Sequence, residues 1–444
     1  MMKRTLGLSI AVTLSASFLA ACGSDGEEGG GGPVTLNVAT VNNPQMKDME
    51  KLKSEYEADN PDVTVNFQVM EEGDLRSAVT ADVASGAGQY DIVTIGAYET
   101  PQWGANGWLV DLTSFEEDSE YDVDDILPSV REALSHEDKL FAVPFYGESS
   151  ILMYNKKVME KAGVTIADEP TWQEVADAAA KVNTDEMSGI CMRGKPGWGD
   201  LFAPLTTVVQ TFGGNWYDEE WNATVDTPEW KEAVSFYKEM LDASGQSDPV
   251  SYSFNECLTA LKEGKAAMWA DASVAASILE ADDSPVKGQM GYAHMPVTET
   301  EESGWLWSWN LAIPASSKNQ EAAEEFVKWA TSKEYIKLVG EELGWSLVPP
   351  GSRSSTYELP EYKEAAAAYA PITLDVMTSV DPTQPGVNPQ PWVGIQYVSI
   401  PEFQDVGNQC AQLVADYLAD RTSIDDALAQ CQEVAQKAGE AHQG

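Results

Sequence analysis

Positive charge is in short supply. The chain of 444 residues has 27 Lys and Arg against 72 Asp and Glu, a formal net charge of −45. Such a surface repels nucleic acid and anionic lipid, which sets both aside as partners, and it disfavours an anionic ligand. The acidity is spread along the chain, as a solubility feature would be. Histidine is rarer still. Of the three, His136 falls in a turn pattern, His294 at the end of a strand pattern and His442 beside the C-terminus, so none suits a serine triad. Gly147-Glu148-Ser149 begins like a nucleophile elbow, but Ile151 stands where its last glycine belongs. Phosphate-binding and dinucleotide glycine fingerprints are absent, as is any Cys-x-x-Cys zinc motif. Tyr121–Asp125, YDVDD, lacks the Gly and Glu of an EF-hand loop and reads better as the acidic start of a helix before Ile126. No metal or cofactor is expected.

Apolar runs are short as well. Beyond the N-terminus no uncharged stretch approaches the ~20 residues that a spanning helix needs. The N-terminal run, Thr5 to Ala21 behind Lys3 and Arg4, would reach about 26 Å as a helix, less than the roughly 30 Å of a bilayer core. It reads as a signal peptide over residues 1–21. Its end, Leu19-Ala20-Ala21-Cys22, resembles the lipobox of bacterial lipoproteins, which implies cleavage before Cys22 and lipid on its thiol; the alternative is plain secretion with a free Cys22. Residues 22–33, CGSDGEEGGGGP, suit a flexible tether. Two or three acyl chains would anchor firmly, at roughly 0.8 kcal/mol per buried CH₂. The expected location is the outer face of the bacterial cytoplasmic membrane, with the lipid as the only membrane contact.

Five cysteines fit an extracytoplasmic protein, one for lipid and four for bridges. Cys410 and Cys431 lie in two helical patterns, each about ten residues from a turn near Asp420–Ser423, so an antiparallel helix pair predicts a Cys410–Cys431 bridge. Cys191–Cys257 follows by elimination. Upstream, strand and helix patterns alternate: Val34–Ala39 extended, Asp48–Asp59 helical, Val63–Phe67 extended, Leu75–Ser85 helical, Tyr90–Ile95 extended. That order predicts an α/β layer with a mostly parallel sheet. The pattern restarts after Phe141–Pro144, with extended stretches at Ser150–Tyr154, Ser188–Met192 and Ala266–Ala270. The third beyond Asn319 is mainly helical.

A set of short motifs then appears in a definite order: NPDV at Asn60, YDIV at Tyr90, GWLVDL at Gly107, VPFY at Val143, MYNK at Met153, KAG at Lys161, PTWQE at Pro170, GKAAMW at Gly264 and LAIP at Leu311. The series resembles the extracellular solute-binding proteins of carbohydrate ABC importers, the maltodextrin-binding-like class, over nearly all of the mature chain. Tyr98–Trp103 and Arg193–Gly199 look most like its polyol (sorbitol and mannitol) branch. The resemblance implies an α/β, two-lobed periplasmic-binding-protein fold with a hinge of crossing segments and a ligand cleft between the lobes. Crossings near Pro144–Glu148, Ala270–Ser273 and Pro314–Ser317 divide the chain into one lobe of residues 34–145 with 271–315 and another of 146–270 with 316–444. A single long α/β domain is the structural alternative. The implied partners are a small neutral polyol or sugar and an ABC permease with its ATPase, which would spend the ATP; a monomer is expected. The competing function is a secreted glycoside hydrolase with Glu99 and Glu148 as its carboxylate pair.

Hydroxyls are best held by planar polar side chains, and sugar C–H faces by aromatic rings. With 14 tryptophans available, candidates are taken beside strand ends, where α/β sheets gather ligands, and at the expected crossings. They are Asn42 and Asn43 after the first strand, Tyr98 and Glu99 after the third, and Tyr146 and Glu148 at the first crossing. Arg193 and Trp198 lie in RGKPGW, Trp216 in a polar loop, Asp271 at the second crossing, Trp345 and Arg353 in GWSLVPPGSR, and Trp392 in NPQPWVG. Each has a plain alternative as packing, a cap or a surface loop. WLWSWN, Trp305–Asn310, spaces three indoles two apart, so a strand would put them on one face. Trp307 is the leading candidate for stacking on ligand, with Trp309 second. Trp305 is expected to pack, and Asn310 to be structural.

Overall fold

The computed structural model describes residues 32–443. The expected signal peptide and Cys22 lie outside the described residues.

The N-terminal alternation folds as its periodicity predicts. VTLNVATV forms β1 (Val34–Val41), and β2 (Val63–Met70) pairs with it in parallel through the crossover helix α1 (Pro44–Asp59). Pro44 opens α1, where its missing N–H costs nothing. The helix α2 (Glu72–Ser85) leads into β3 (Ile92–Ile95), whose four residues IVTI are all buried, as expected of a strand covered on both faces. After α3 (Glu99–Ala105) and a short hairpin, β4 (Ser135–His136) with β5 (Lys139–Leu140), comes β6 (Val143–Glu148). The first sheet has the order β2-β1-β3-β10-β6, with β10 (Trp307–Ala312) antiparallel to both its neighbours. A second sheet, order β8-β7-β9, is antiparallel throughout: β7 is Ser150–Asn155, β8 Met268–Ala272 and β9 Met290–Ala293.

One residue, Ser149, separates β6 of the first sheet from β7 of the second. Its carbonyl accepts from the Ser273 N–H at 2.8 Å, and its own N–H donates to Ser273 Oγ at 3.2 Å. The chain returns to the first sheet between β9 and β10. It leaves again after the helix Lys333–Glu342, whose Tyr335 packs on Phe145 of β6 at 5.5 Å. At this junction the Gly147 N–H donates to Pro350 O at 2.9 Å, and the Trp305 N–H to Ser150 Oγ at 3.3 Å. Three chain segments thus cross where the two sheets abut.

The pairings set which sheet each segment joins. β8 continues to Ala272 and β9 pairs with β7, so both belong to the second sheet. The helix Gln320–Ala330 packs its Phe326 on Tyr56 of α1 at 5.0 Å, against the helix that joins β1 to β2. The stretch Ser188–Met192 makes isolated bridges at Ser188 and Cys191 and forms no named strand. YDVDD begins no α-helix before Ile126. A 3₁₀ turn covers Val123–Asp125, and Asp125 instead accepts from Ser355 and pairs with Arg353.

The helices Phe403–Leu418 and Ile424–Gly439 form the antiparallel pair expected from their patterns, with Ser423 capping the second, and Cys410 is joined to Cys431 at a Cα separation of 4.9 Å. Cys191 is joined to Cys257 and ties the segment that leads to Arg193 onto the helix Phe254–Lys262. The second bridge spans 66 residues against 21 for the first. By loop closure, removing it is predicted to cost about 4 kcal/mol, against about 3 for Cys410–Cys431. Guanidinium unfolding of C191S/C257S and C410S/C431S tests this; equal losses would contradict the order.

Candidate functional site

A cavity opens at the junction, with about 440 Å³ of atom-free space including its mouth. The first lobe contributes Asn43 after β1, Glu72 and Arg76 from the start of α2, Glu148 at the end of β6, and Trp307 and Trp309 of β10. Asn43 and Glu72 follow the carboxyl ends of parallel strands, where ligands of α/β sheets collect. The second lobe contributes Arg193, Trp198, Gly199, Ala203 and Phe254, and Trp305 and Gln396 complete the wall.

Trp307 and Trp309 share a face of β10, paired with Glu148 and Tyr146 across the ladder, and their rings meet edge to face at 5.6 Å. Asn310 points away and donates to Ile95 O at 3.0 Å, a structural role. Trp305 precedes the strand but lines the cavity, which corrects its expected role as packing alone. Gly96 is required behind Trp307: a Cβ there would lie 2.1 Å from the indole.

The charged groups form a chain across the cleft. Arg193 is gripped by Asp271, with Nε to Oδ2 at 2.7 Å and Nη2 to Oδ1 at 2.5 Å, and its Nη1 donates to Gly199 O at 2.9 Å. Gly199 lies against Glu72 so closely that a Cβ would sit 1.8 Å from Oε1. Glu72 Oε1 accepts from Arg76 Nε at 3.0 Å and Nη2 at 2.8 Å. Arg76 Nη1 donates to Glu99, whose Oε2 accepts from the Gly96 N–H at 3.0 Å. The Arg76 guanidinium also faces three indoles, at 4.0 Å from the ring centre of Trp198, 5.0 Å from Trp309 and 5.2 Å from Trp307. Burial opposes its charge, but Glu99 and Glu72 together hold it above its usual value.

The cavity is therefore aromatic on one side, and neither guanidinium is free for an incoming anion. Three buried polar atoms of residues that line it find no partner among the described residues: Trp198 Nε1, Trp305 Nε1 and Gln396 Oε1. Two donors and an acceptor beside indole faces complement a molecule with several hydroxyls on a hydrocarbon chain or ring.

Of the residues singled out from sequence, Asn43, Glu148, Arg193, Trp198, Trp307 and Trp309 line this cavity. Others stand one layer behind it. Tyr146 accepts from Asn43 Nδ2 at 2.8 Å, Asp271 holds Arg193, Glu99 holds Arg76, and Tyr98 packs on Trp198 while its hydroxyl donates to Ile400 O at 3.0 Å. Asn42 sits at the lip, donating to Glu71 at 2.7 Å. Four lie elsewhere. Trp216 packs among Phe202, Trp230 and Phe403; Trp345 covers Gly340; Arg353 donates to Thr331 O and Asp122 O; Trp392 packs on Tyr217 and Trp221. Glu99 and Glu148 do not face each other across the cavity as a hydrolytic pair, because Glu99 is tied to Arg76 outside the lining. Sequence reasoning missed Glu72, Arg76, Phe254, Trp305 and Gln396. Glu72 and Arg76 carried a signal, an acid and a base four apart just after a strand; Gln396 carried none.

Arg76→Lys keeps the charge but loses the fork to its carboxylates and the stacking on indoles. It is expected to lower stability by about 2 kcal/mol, read by denaturant unfolding, and to alter tryptophan emission; an unchanged midpoint would show that the cage contributes nothing.

A mannitol-binding protein of Pseudomonas aeruginosa is 43% identical over 406 residues, covering 90% of this chain and 92% of that protein. A crystal structure of an ABC transporter solute-binding protein from Agrobacterium vitis S4 with bound D-mannitol is 45% identical, with a TM-score of 0.90 over 92% of this chain and 99% of that one. A second, from Agrobacterium radiobacter K84 in complex with ribitol, is 25% identical with a TM-score of 0.81, over the same shares. The profile of the bacterial extracellular solute-binding proteins matches residues 41–337. The two-lobed fold, the cleft and these likenesses place the chain in the bacterial extracellular solute-binding protein family, as a binding protein and not an enzyme.

Proposed function

We propose that this protein is the substrate-binding component of an ABC importer, that it captures a neutral acyclic polyol of the mannitol kind by closure of its lobes, and that it delivers the polyol to a membrane permease. The observation that carries the reading is the cleft itself: Trp305, Trp307 and Trp309 form an aromatic wall, and every guanidinium beside it is already matched to carboxylates. A neutral polyol loses less on entering such a site than a sugar acid or phosphate, which would need a free cation. The mannitol-binding relative and the mannitol-bound neighbour support the same ligand class.

Closure engages both lobes. Lys195 of the second meets Glu71 of the first at 3.3 Å, Asn255 Nδ2 donates to Asn42 O at 2.9 Å, and Trp198 stacks on Arg76. The lobes we propose to move are residues 34–148 with 307–342, and 150–293 with the C-terminal helices. Anchoring at Cys22 through the LAAC signature would hold the protein beside its permease, and the protein would act as a monomer.

Calorimetry with D-mannitol, D-sorbitol, ribitol, glucose and maltose tests the ligand. D-mannitol or a near stereoisomer is expected to bind with a dissociation constant in the micromolar range or below, and maltose to be rejected. Ligand should also shrink the scattering radius and shift tryptophan emission. No binding across the panel would overturn the reading. Trp307→Ala is expected to cost at least about 2 kcal/mol of binding, about thirtyfold. Because Trp307 also packs on Trp198 and Tyr397, the fold should lose about 3 kcal/mol as well, so affinity must be measured on protein shown to be folded.

A further inference from the structure

Glu148 stands out among the charged groups of the cleft. It is the last residue of β6, opposite Trp307 in the ladder, buried, and part of the cavity wall. No side chain or backbone donor among the described residues hydrogen-bonds its carboxyl. The groups around it compensate a negative charge only in part. Arg193 is held bidentately by Asp271 of β8, and Arg76 of α2 by Glu72 and Glu99. Asp200, just past the Arg193 loop, adds a further carboxyl beside Glu72 and Arg193, and the Tyr146 hydroxyl accepts from Asn43 and makes no hydrogen bond to Glu148 among the described residues. Two guanidiniums thus face three carboxylates before Glu148 or Asp200 is counted.

An ionised carboxylate sealed into this space would be buried without a partner, which is costly enough that such a group takes up a proton instead. Burial pushes the Glu148 carboxyl up to about 8; Asp271 and Glu72 push the same way, and Arg193 only partly opposes them. We propose that Glu148 engages the ligand as a neutral carboxylic acid, so that each capture event takes up one proton. This rests on the reading of the cleft as a polyol site. A carboxylic acid offers one O–H donor and acceptor oxygens, the complement of a hydroxyl that both donates and accepts. Because β6 ends at the junction of the lobes, opening them wets the carboxyl and returns it toward the ordinary range near 4.3.

The closed form therefore holds the proton more tightly than the open one. Closure is favoured at low pH, and the advantage is lost as pH rises through about 8. Between the two limits affinity falls by up to about tenfold per pH unit.

Titration of the full-length protein with D-mannitol at pH 7, in buffers of differing ionisation enthalpy, counts the protons directly. About one proton taken up per ligand is expected, together with a dissociation constant that rises steadily from pH 6 to 8. Glu148→Gln should abolish both the uptake and the slope. Asp200→Asn, whose carboxyl is also raised, to about 6, should retain them. Zero uptake by the wild type, an affinity that is flat or rises with pH, or loss of the uptake in Asp200→Asn would each overturn the proposal. If Glu148→Gln does not fold, the wild-type count decides alone. Binding without proton uptake overturns this inference and leaves the polyol reading standing; no binding of any polyol overturns both.

Discussion

Arg76 carries a full charge where there is almost no water, and the cleft is organised around keeping that charge there. Glu72 and Glu99 neutralise it, and three indoles cover its plane. From that centre the contacts run unbroken into both lobes: through Glu99 to the Gly96 backbone, and through Glu72 and Gly199 to Arg193 and Asp271. A buried guanidinium left unpaired costs several kcal/mol, so each member of the chain holds the next in place. The tryptophans are positioned as part of this network. Their faces are set by the cation they cover, and what remains of their surface forms the wall of the cavity.

The same economy explains the site's chemistry. A cleft whose cations are all committed has little attraction for an anion, in keeping with the acidic character of the whole surface. What it offers is aromatic area and scattered single hydrogen-bonding atoms, such as the indole N–H groups of Trp198 and Trp305. Those match hydroxyls and C–H groups. Among the described residues of the cavity wall, the Glu148 carboxyl makes no hydrogen bond, and Arg193, already held by Asp271, offsets its burial only in part.

Much of the fold was legible because its signals are local. β1, β2 and β3 announce themselves by alternation and by the IVTI run, and α1 by a stop at Asn60-Pro61. The Cys410–Cys431 bridge follows from two helices that a short turn must bring antiparallel. The sheet partners were legible only in part. Whether β9 pairs with β7 or with the first sheet depends on partners more than a hundred residues away, and no residue within MGYA records that choice. The site shows the same division. Period two marked Trp307 and Trp309 as one face. Burial alone could not separate Trp198 from Trp216, since the same ring serves a core and a binding wall equally well. Gln396 lies in a long irregular segment whose path is decided by what it packs against.

The sequence by itself determined the charge, the strand and helix types, the family motifs and the kinds of side chain available to meet a hydroxylated ligand, because each of these is written in composition or short-range spacing. Only the tertiary structure decided which of those side chains face one cavity. Arg353, drawn from the same pool as Arg193, was spent on Asp125 and two backbone carbonyls. Glu99 was spent on Arg76, while Glu148 lines the cavity with no hydrogen bond to its carboxyl among the described residues. The reason is physical: a buried charge must find its counter-charge in three dimensions, and the partners that satisfy Arg76 and Arg193 come from strands and helices far apart in the chain.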